Sequence, residues 1–189
     1  MKRTEIVEEI RQFVEDECRK PTSKYGFGPY DSHFVPMVKY AKKLALEMGA
    51  DVEIVEIAGW LHDIGSIIVG REDHHVTGAE IARKKLGELG YPEERIASVA
   101  NCILHHRGSQ KMESETLEEQ IIIEADSISC FDNITGIFRA ALVNEKKTED
   151  EARKSVLKKM TNKWNQLRFE KSKEMIGPKY EAVRILLDR

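Results

Sequence analysis

The chain has 189 residues, 41% hydrophobic and 33% charged, with a formal net charge of −3. That composition suits one soluble globular domain, or one domain with a helical extension; it excludes a disordered chain and offers no basic face for long nucleic acid. No apolar run reaches the length of a membrane span, and MKRTEIVEEIRQF lacks a signal peptide's continuous apolar stretch, so a cytoplasmic protein with no membrane partner is expected.

In chain order the hydrophobic period is helical nearly throughout. Ile6, Ile10, Phe13 and Val14 recur at helical spacing in an opening helix that ends before Pro21. Residues 20–32 read as loop from their Pro, Gly and Ser content. The next helix spans 36–48, with Gly49 as its C-cap and Asp51 as the N-cap of a third helix over 52–63 that stops at Gly65. After the connection IIVGRED a helix covers 75–88. Gly90-Tyr91-Pro92 breaks it, and Pro92-Glu93-Glu94 opens the helix to 106. Thr116 and Glu119 form a capping box at the start of a long helix to about 143; Thr148 and Glu151 form a second, and Gly177-Pro178 separates the last helix. No segment alternates with period 2, so the fold class is all-α. Cys18, Cys102 and Cys130 are odd in number, far apart and flanked by apolar residues, which predicts buried thiols and no disulfide framework.

The six histidines make one pattern: His33, then His62 beside Asp63, His74-His75 and His105-His106. Helices 36–48 and 52–63 are each about 18 Å long at 1.5 Å per residue, so an antiparallel pair sets His33 beside His62 and Asp63. The hairpin 75–88 and 93–106 does the same for His74-His75 and His105-His106. Asp126 adjoins Ala125 on the apolar stripe of the long helix that opens at Thr116, where a carboxylate needs a cation. Imidazole and carboxylate together are ligands for Mn, Fe, Zn, Ni and Co.

His33, the stretch Ala58-Gly-Trp-Leu-His62-Asp63-Ile-Gly65 and the distal Asp126 resemble the H…HD…D signature of the HD-domain metal-dependent phosphohydrolases. The stretches HHVTGAEI from His74 and ILHHRGS from Ile103 resemble the subset with additional histidines. The resemblance covers about residues 28–135 and implies an HD helical bundle over 28–143, preceded by a helix and loop over 1–27 and followed by a C-terminal helical extension over 144–189. It implies that His33, His62, Asp63 and Asp126 hold a first divalent ion, and that Asp63, as a bridge, holds a second with His74 and His106; His75 and His105 are then outer or alternate ligands. Arg107 is the expected phosphate clamp, with Arg71 as a further substrate contact and Asp63 at the centre of catalysis. Ser66 and Met37 stand where relatives carry basic residues, and RGSQ lacks the Gly-Tyr-Pro motif of the cyclic-dinucleotide phosphodiesterases.

The implied activity is hydrolysis of a phosphoester or phosphoanhydride in a small phosphorylated molecule, a nucleotide foremost, with one or two ions of Mn, Fe, Ni, Co or Zn. Two other readings stay open: a di-iron oxygenase on the same scaffold and a non-catalytic metal-binding module. The amphipathic C-terminal helices suit packing on the domain or on a second subunit in a homodimer.

Overall fold

The computed structural model describes residues 3–107 and 114–188, with the side chains of Arg3 and Thr4 left aside. The RGSQ motif beyond Arg107 therefore lies outside the described residues. Among the described residues the fold is all helix, as the periodicity predicts. The chain divides into two compact units between Ala125 and Asp126.

The first unit holds α1 (Arg3–Arg19), a π-helical turn (Tyr30–Phe34), α2 (Val35–Met48), α3 (Val52–Leu61), α4 (Ile64–Ile68), α5 (His74–Glu88), α6 (Glu93–His105) and the start of α7 (Leu117–Ser129). α2 and α3 form one hairpin and α5 and α6 another. Gly49 ends α2 with φ 75°, the left-handed conformation for which glycine is suited, and its N–H reaches the Ala45 carbonyl. Asp51 then caps α3, accepting from the Glu53 and Ile54 amides at 3.0 and 3.1 Å, which stabilises the helix by about 1 kcal/mol.

The same Asp51 fixes the second hairpin. Arg95, near the start of α6, donates to Asp51 Oδ2 and Glu53 Oε1, each at 2.9 Å. The Tyr91 hydroxyl adds a bond to Glu53 at 2.6 Å. α3 and α6 therefore start together and run the same way, so their C-terminal ends meet: the His62 and His106 rings lie 5.4 Å apart. Ile10, Val14, Leu44, Ile57, Leu61 and Ile103, all fully buried, fill the core between these helices.

Three local features of this unit differ from expectation, the first being that the loop expected over 20–32 gives way to the π-helical turn from Tyr30. The connection after Asp63 is not loop throughout: its first five residues form α4, too short for periodicity to reveal. Gly65 explains the turn, because a Cβ there would lie 2.2 Å from the His74 carbonyl and 2.8 Å from the Gly78 amide. Only glycine lets α4 approach the start of α5 so closely. The capping box at α7 is half formed: Thr116 Oγ1 accepts from the Glu119 amide at 3.2 Å, while the Glu119 carboxylate turns to His105.

The second unit contains the end of α7, α8 (Ile134–Arg139), a π-helical turn (Ala140–Asn144), α9 (Glu149–Gln166) and α10 (Glu170–Leu187). The long helix expected to about 143 stops at Ser129, and a turn through Asp132 and Asn133 precedes α8. Thr148 and Glu151 form the full capping box of α9, as predicted. Gly177-Pro178 does not break the last helix. The chain turns instead at Leu167–Phe169, both extended, and α10 runs through Pro178. The Trp164 ring faces Gly177, where an added Cβ would lie 3.8 Å from it, and stacks on Tyr180 at 4.5 Å, so packing against α9 offsets the helix-breaking cost of proline. All three cysteines are buried and none is in a disulfide, and burial pushes the Cys18 thiol up to about 11.

Candidate metal centre

The site stands where α3 and α6 end and α5 begins, with Asp63 in its middle. Asp63 Oδ2 lies 3.4 Å from His33 Nε2 and 3.8 Å from His62 Nε2. Asp63 Oδ1 lies 3.2 Å from His74 Nε2 and 3.6 Å from His106 Nε2. One carboxylate thus faces a pair of imidazoles with each oxygen. Within the pairs, His33 Nε2 and His62 Nε2 are 2.9 Å apart, and His74 Nε2 and His106 Nε2 are 3.3 Å apart.

Three of these rings are oriented by their own helices. His62 Nδ1 donates to the Gly59 carbonyl at 2.8 Å, His74 Nδ1 to that of Arg71 at 2.8 Å, and His106 Nδ1 to that of Ile103 at 2.6 Å. A carbonyl only accepts, so each Nδ1 carries a proton, and each ring in its neutral form turns an Nε2 lone pair to the centre. In that form the Nε2 atoms of His74 and His106, 3.3 Å apart, suit a shared cation. His33 is placed differently, on the π-helical turn before α2, a backbone form frequent at functional sites.

The donor set fits divalent transition metals. Metal–nitrogen bonds of about 2.1 Å separate neighbouring ligand atoms by about 3.0–3.4 Å in octahedral or tetrahedral shells, and the distances above span that range. Two groups with ligand geometry occur among the described residues: His33, His62 and Asp63, and Asp63, His74 and His106. Burial alone would raise the Asp63 carboxyl, but without a metal the positive charge of protonated His62, then hydrogen bonds from His106 and His33, hold it well below the ordinary carboxylate range. Burial lowers His74, against the opposing pull of Asp63, and keeps the ring neutral and able to ligate.

The remaining predicted residues lie as follows. Asp126 belongs to neither group; it is on α7 in the second unit, where Lys163 Nζ donates to its Oδ2 at 2.6 Å. His105 donates from Nδ1 to the buried Glu119 carboxylate at 2.7 Å, a partner that nothing in the sequence singled out. His75 is buried, and its Nδ1 finds no hydrogen-bond partner among the described residues; burial and then the Arg107 charge lower it. Arg107 is half-buried directly after His106, and Arg71 is exposed.

An all-helical bundle whose helix ends gather two imidazole pairs about one aspartate defines a helical protein with a candidate divalent-metal centre. The chain belongs to the HD domain family, whose model matches residues 30–130. Ribonuclease Y of Fusobacterium nucleatum is 33% identical over 100 residues, 52% of this chain and 18% of that protein. Ribonuclease Y of Mycoplasma capricolum is 41% identical over the same shares, so the chain spans about a fifth of the length of these curated relatives. Among solved structures, Bacillus subtilis YpgQ shares the fold with a TM-score of 0.77 at 18% identity, covering 98% of this chain and 96% of that one. The same protein in complex with ADP gives a TM-score of 0.70 at 18% identity over 95% of each chain. No described helix is long and apolar enough to cross a membrane.

Proposed function

We propose that this chain is a two-metal phosphohydrolase that cleaves a phosphoester or phosphoanhydride bond of a small phosphorylated molecule, with a nucleotide as the leading class. The observation that carries the reading is the divided role of Asp63, whose Oδ2 faces His33 and His62 while Oδ1 faces His74 and His106. A pair of divalent ions bound there supplies Lewis acidity and lowers the pKa of a water toward neutrality. The chain's own residues do the rest. Asp63 ties the two imidazole pairs to one point, and the carbonyls of Gly59, Arg71 and Ile103 hold the proton of each neutral ring on Nδ1 and aim Nε2 at the centre. Arg107, beside His106, matches two phosphate oxygens with its planar fork, and Arg71 offers a second cation for the substrate. Asp126 enters the ligand set on the family pattern alone. Fold similarity to YpgQ, solved with ADP, puts adenine nucleotides first among substrates to assay.

A second reading, hydrolysis of RNA phosphodiesters, is favoured by the ribonuclease Y relatives, whose likeness covers 52% of this chain. The test is turnover with Mn²⁺ across nucleotides, phosphomonoesters and short single-stranded RNA, with Asp63→Ala as control. Phosphate release from nucleotides that disappears in the variant supports the first reading. Shortened RNA with inert nucleotides supports the second. A silent panel from protein holding two irons, with oxygen-dependent turnover, contradicts both and favours the oxygenase.

A further inference from the structure

The end of α6 carries three polar side chains in succession: His105, His106 and, just beyond the helix, Arg107. His106 Nδ1 donates to the Ile103 carbonyl of its own helix at 2.6 Å. His105 is held from another helix. Its Nδ1 donates to Glu119 Oε2, on the first turn of α7, at 2.7 Å. The same Oε2 accepts the Glu115 N–H at 2.8 Å, and the Glu119 N–H turns back to Thr116 Oγ1 at 3.2 Å. Glu119 is 2% exposed, so these bonds are made away from water.

One buried oxygen thus receives a donor from each end of the chain segment that carries Arg107: His105 before it and Glu115 after it. Closing a segment at its base restricts the residues within it. Arg107 is half-buried and follows His105 by two positions. Beside burial, its charge lowers both His75 and His74, which sets the guanidinium near that half of the centre. Among the described residues neither His105 nor Glu119 belongs to a group with ligand geometry, so their bond calls for another explanation.

We infer that Glu119 and His105 form a tie between α6 and α7 that positions Arg107 for phosphate without setting the affinity of either ion. His74 and His106 keep their own supports in the Arg71 and Ile103 carbonyls. What the tie fixes is the point where the chain leaves α6. A planar fork that must meet two phosphate oxygens at once tolerates little misplacement. One oxygen serves both donors, so the tie requires an acceptor and not the charge of the carboxylate. The inference rests on the two-metal reading above and on Arg107 as its phosphate clamp; Glu119 and His105 are positioning residues and touch no reacting atom.

The experiment is calorimetric titration of Mn²⁺-loaded protein with inorganic phosphate, paired with Mn²⁺ titration of each metal-free variant. Arg107→Met should weaken phosphate by roughly tenfold or more, as expected for losing a charge-assisted pair. Glu119→Ala should weaken it by roughly tenfold through misplacement of the fork, while both ions bind within about twofold of wild type. Adding Glu119→Ala to Arg107→Met should cost no more than about twofold further, because the tie then has no clamp to place. Glu119→Gln, which keeps an oxygen for His105 and Glu115, should restore phosphate binding to within about twofold. Should Glu119→Ala fail to fold by circular dichroism, His105→Leu decides, with the same losses expected. Additive losses in the double variant, ion binding weakened along with phosphate, or no loss in Glu119→Ala where Arg107→Met shows one, overturns the tie alone. Phosphate binding untouched by Arg107→Met overturns the clamp and the tie with it. A wild-type protein that binds no ion overturns the reading of the site as well.

Discussion

The two halves of the metal centre are built by different means. His74 and His106 project from α5 and α6, each with Nδ1 tied to a carbonyl of its own chain three residues earlier. Their orientation is local and should survive distant change. On the other side His62 has a tie of the same kind, while His33 sits on a π-helical turn that begins at Tyr30, whose ring stacks on Trp60 and whose hydroxyl accepts from Arg11 on α1. A symmetric set of donors around Asp63 thus stands on unlike backbone. One half lies at the ends of two long helices, the other includes a π-helical turn packed against α1 and α3.

Removing the shared group should erase the comparison. Asp63→Ala is expected to lower kcat/KM by roughly three orders of magnitude or more, because metal stabilisation worth several kcal/mol goes with it. Steady-state assay on whichever substrate the panel identifies checks this, and a loss below tenfold breaks the account.

Gly65→Ala strikes the locally secured half. Its Cβ would stand 2.2 Å from the His74 carbonyl, so backbone must move, with an expected loss of about 2–3 kcal/mol. Denaturant unfolding measures the loss, and weaker binding of the ion assigned to His74 should accompany it. Gly78→Ala is the milder counterpart: the added Cβ meets Ile103 Cγ2 at 3.3 Å. Gain in helix propensity opposes that contact, and the net change should lie within about 1 kcal/mol. Equal effects at the two glycines would show that the close approach at Gly65 does not govern the turn.

The smallest effect concerns pH. His74 and His75 are both held below the ordinary imidazole value of 6.5, chiefly by burial. Between the depressed values and 6.5 the unfolded chain binds more protons than the folded one, so stability is complete above 6.5 and declines as pH falls through the window. Melting of metal-free protein between pH 5 and 8 should show this decline, and His75→Asn should flatten it. A melting temperature that rises on acidification would contradict the burial of these rings.

Much of this arrangement was legible in the sequence, for physical reasons that differ by residue. Gly49, Asp51, Gly90 and Pro92 act through local backbone preference, and with the helical period they define both hairpins. Antiparallel packing then places His33 with His62, and His74 with His106. What stayed hidden depends on tertiary contact or on segments too short to show a period. α4 spans five residues. Pro178 remains inside α10 because Trp164 and Tyr180 pack across it, and Glu119 leaves its cap to bind His105. Arg11 reads in sequence as one more charge on a solvated helix face; only the fold brings it to Tyr30. A ligand role for Asp126 is an expectation from the family pattern alone; the structure shows its ion pair with Lys163.

The most direct test of the central claim is metal stoichiometry. Metal-free protein reconstituted with Mn²⁺ and desalted should carry two ions per chain, and Asp63→Ala, although folded, should retain neither at the same free concentration. A wild-type chain saturating at one ion, or an Asp63→Ala variant that keeps both, would contradict a centre organised around a shared aspartate.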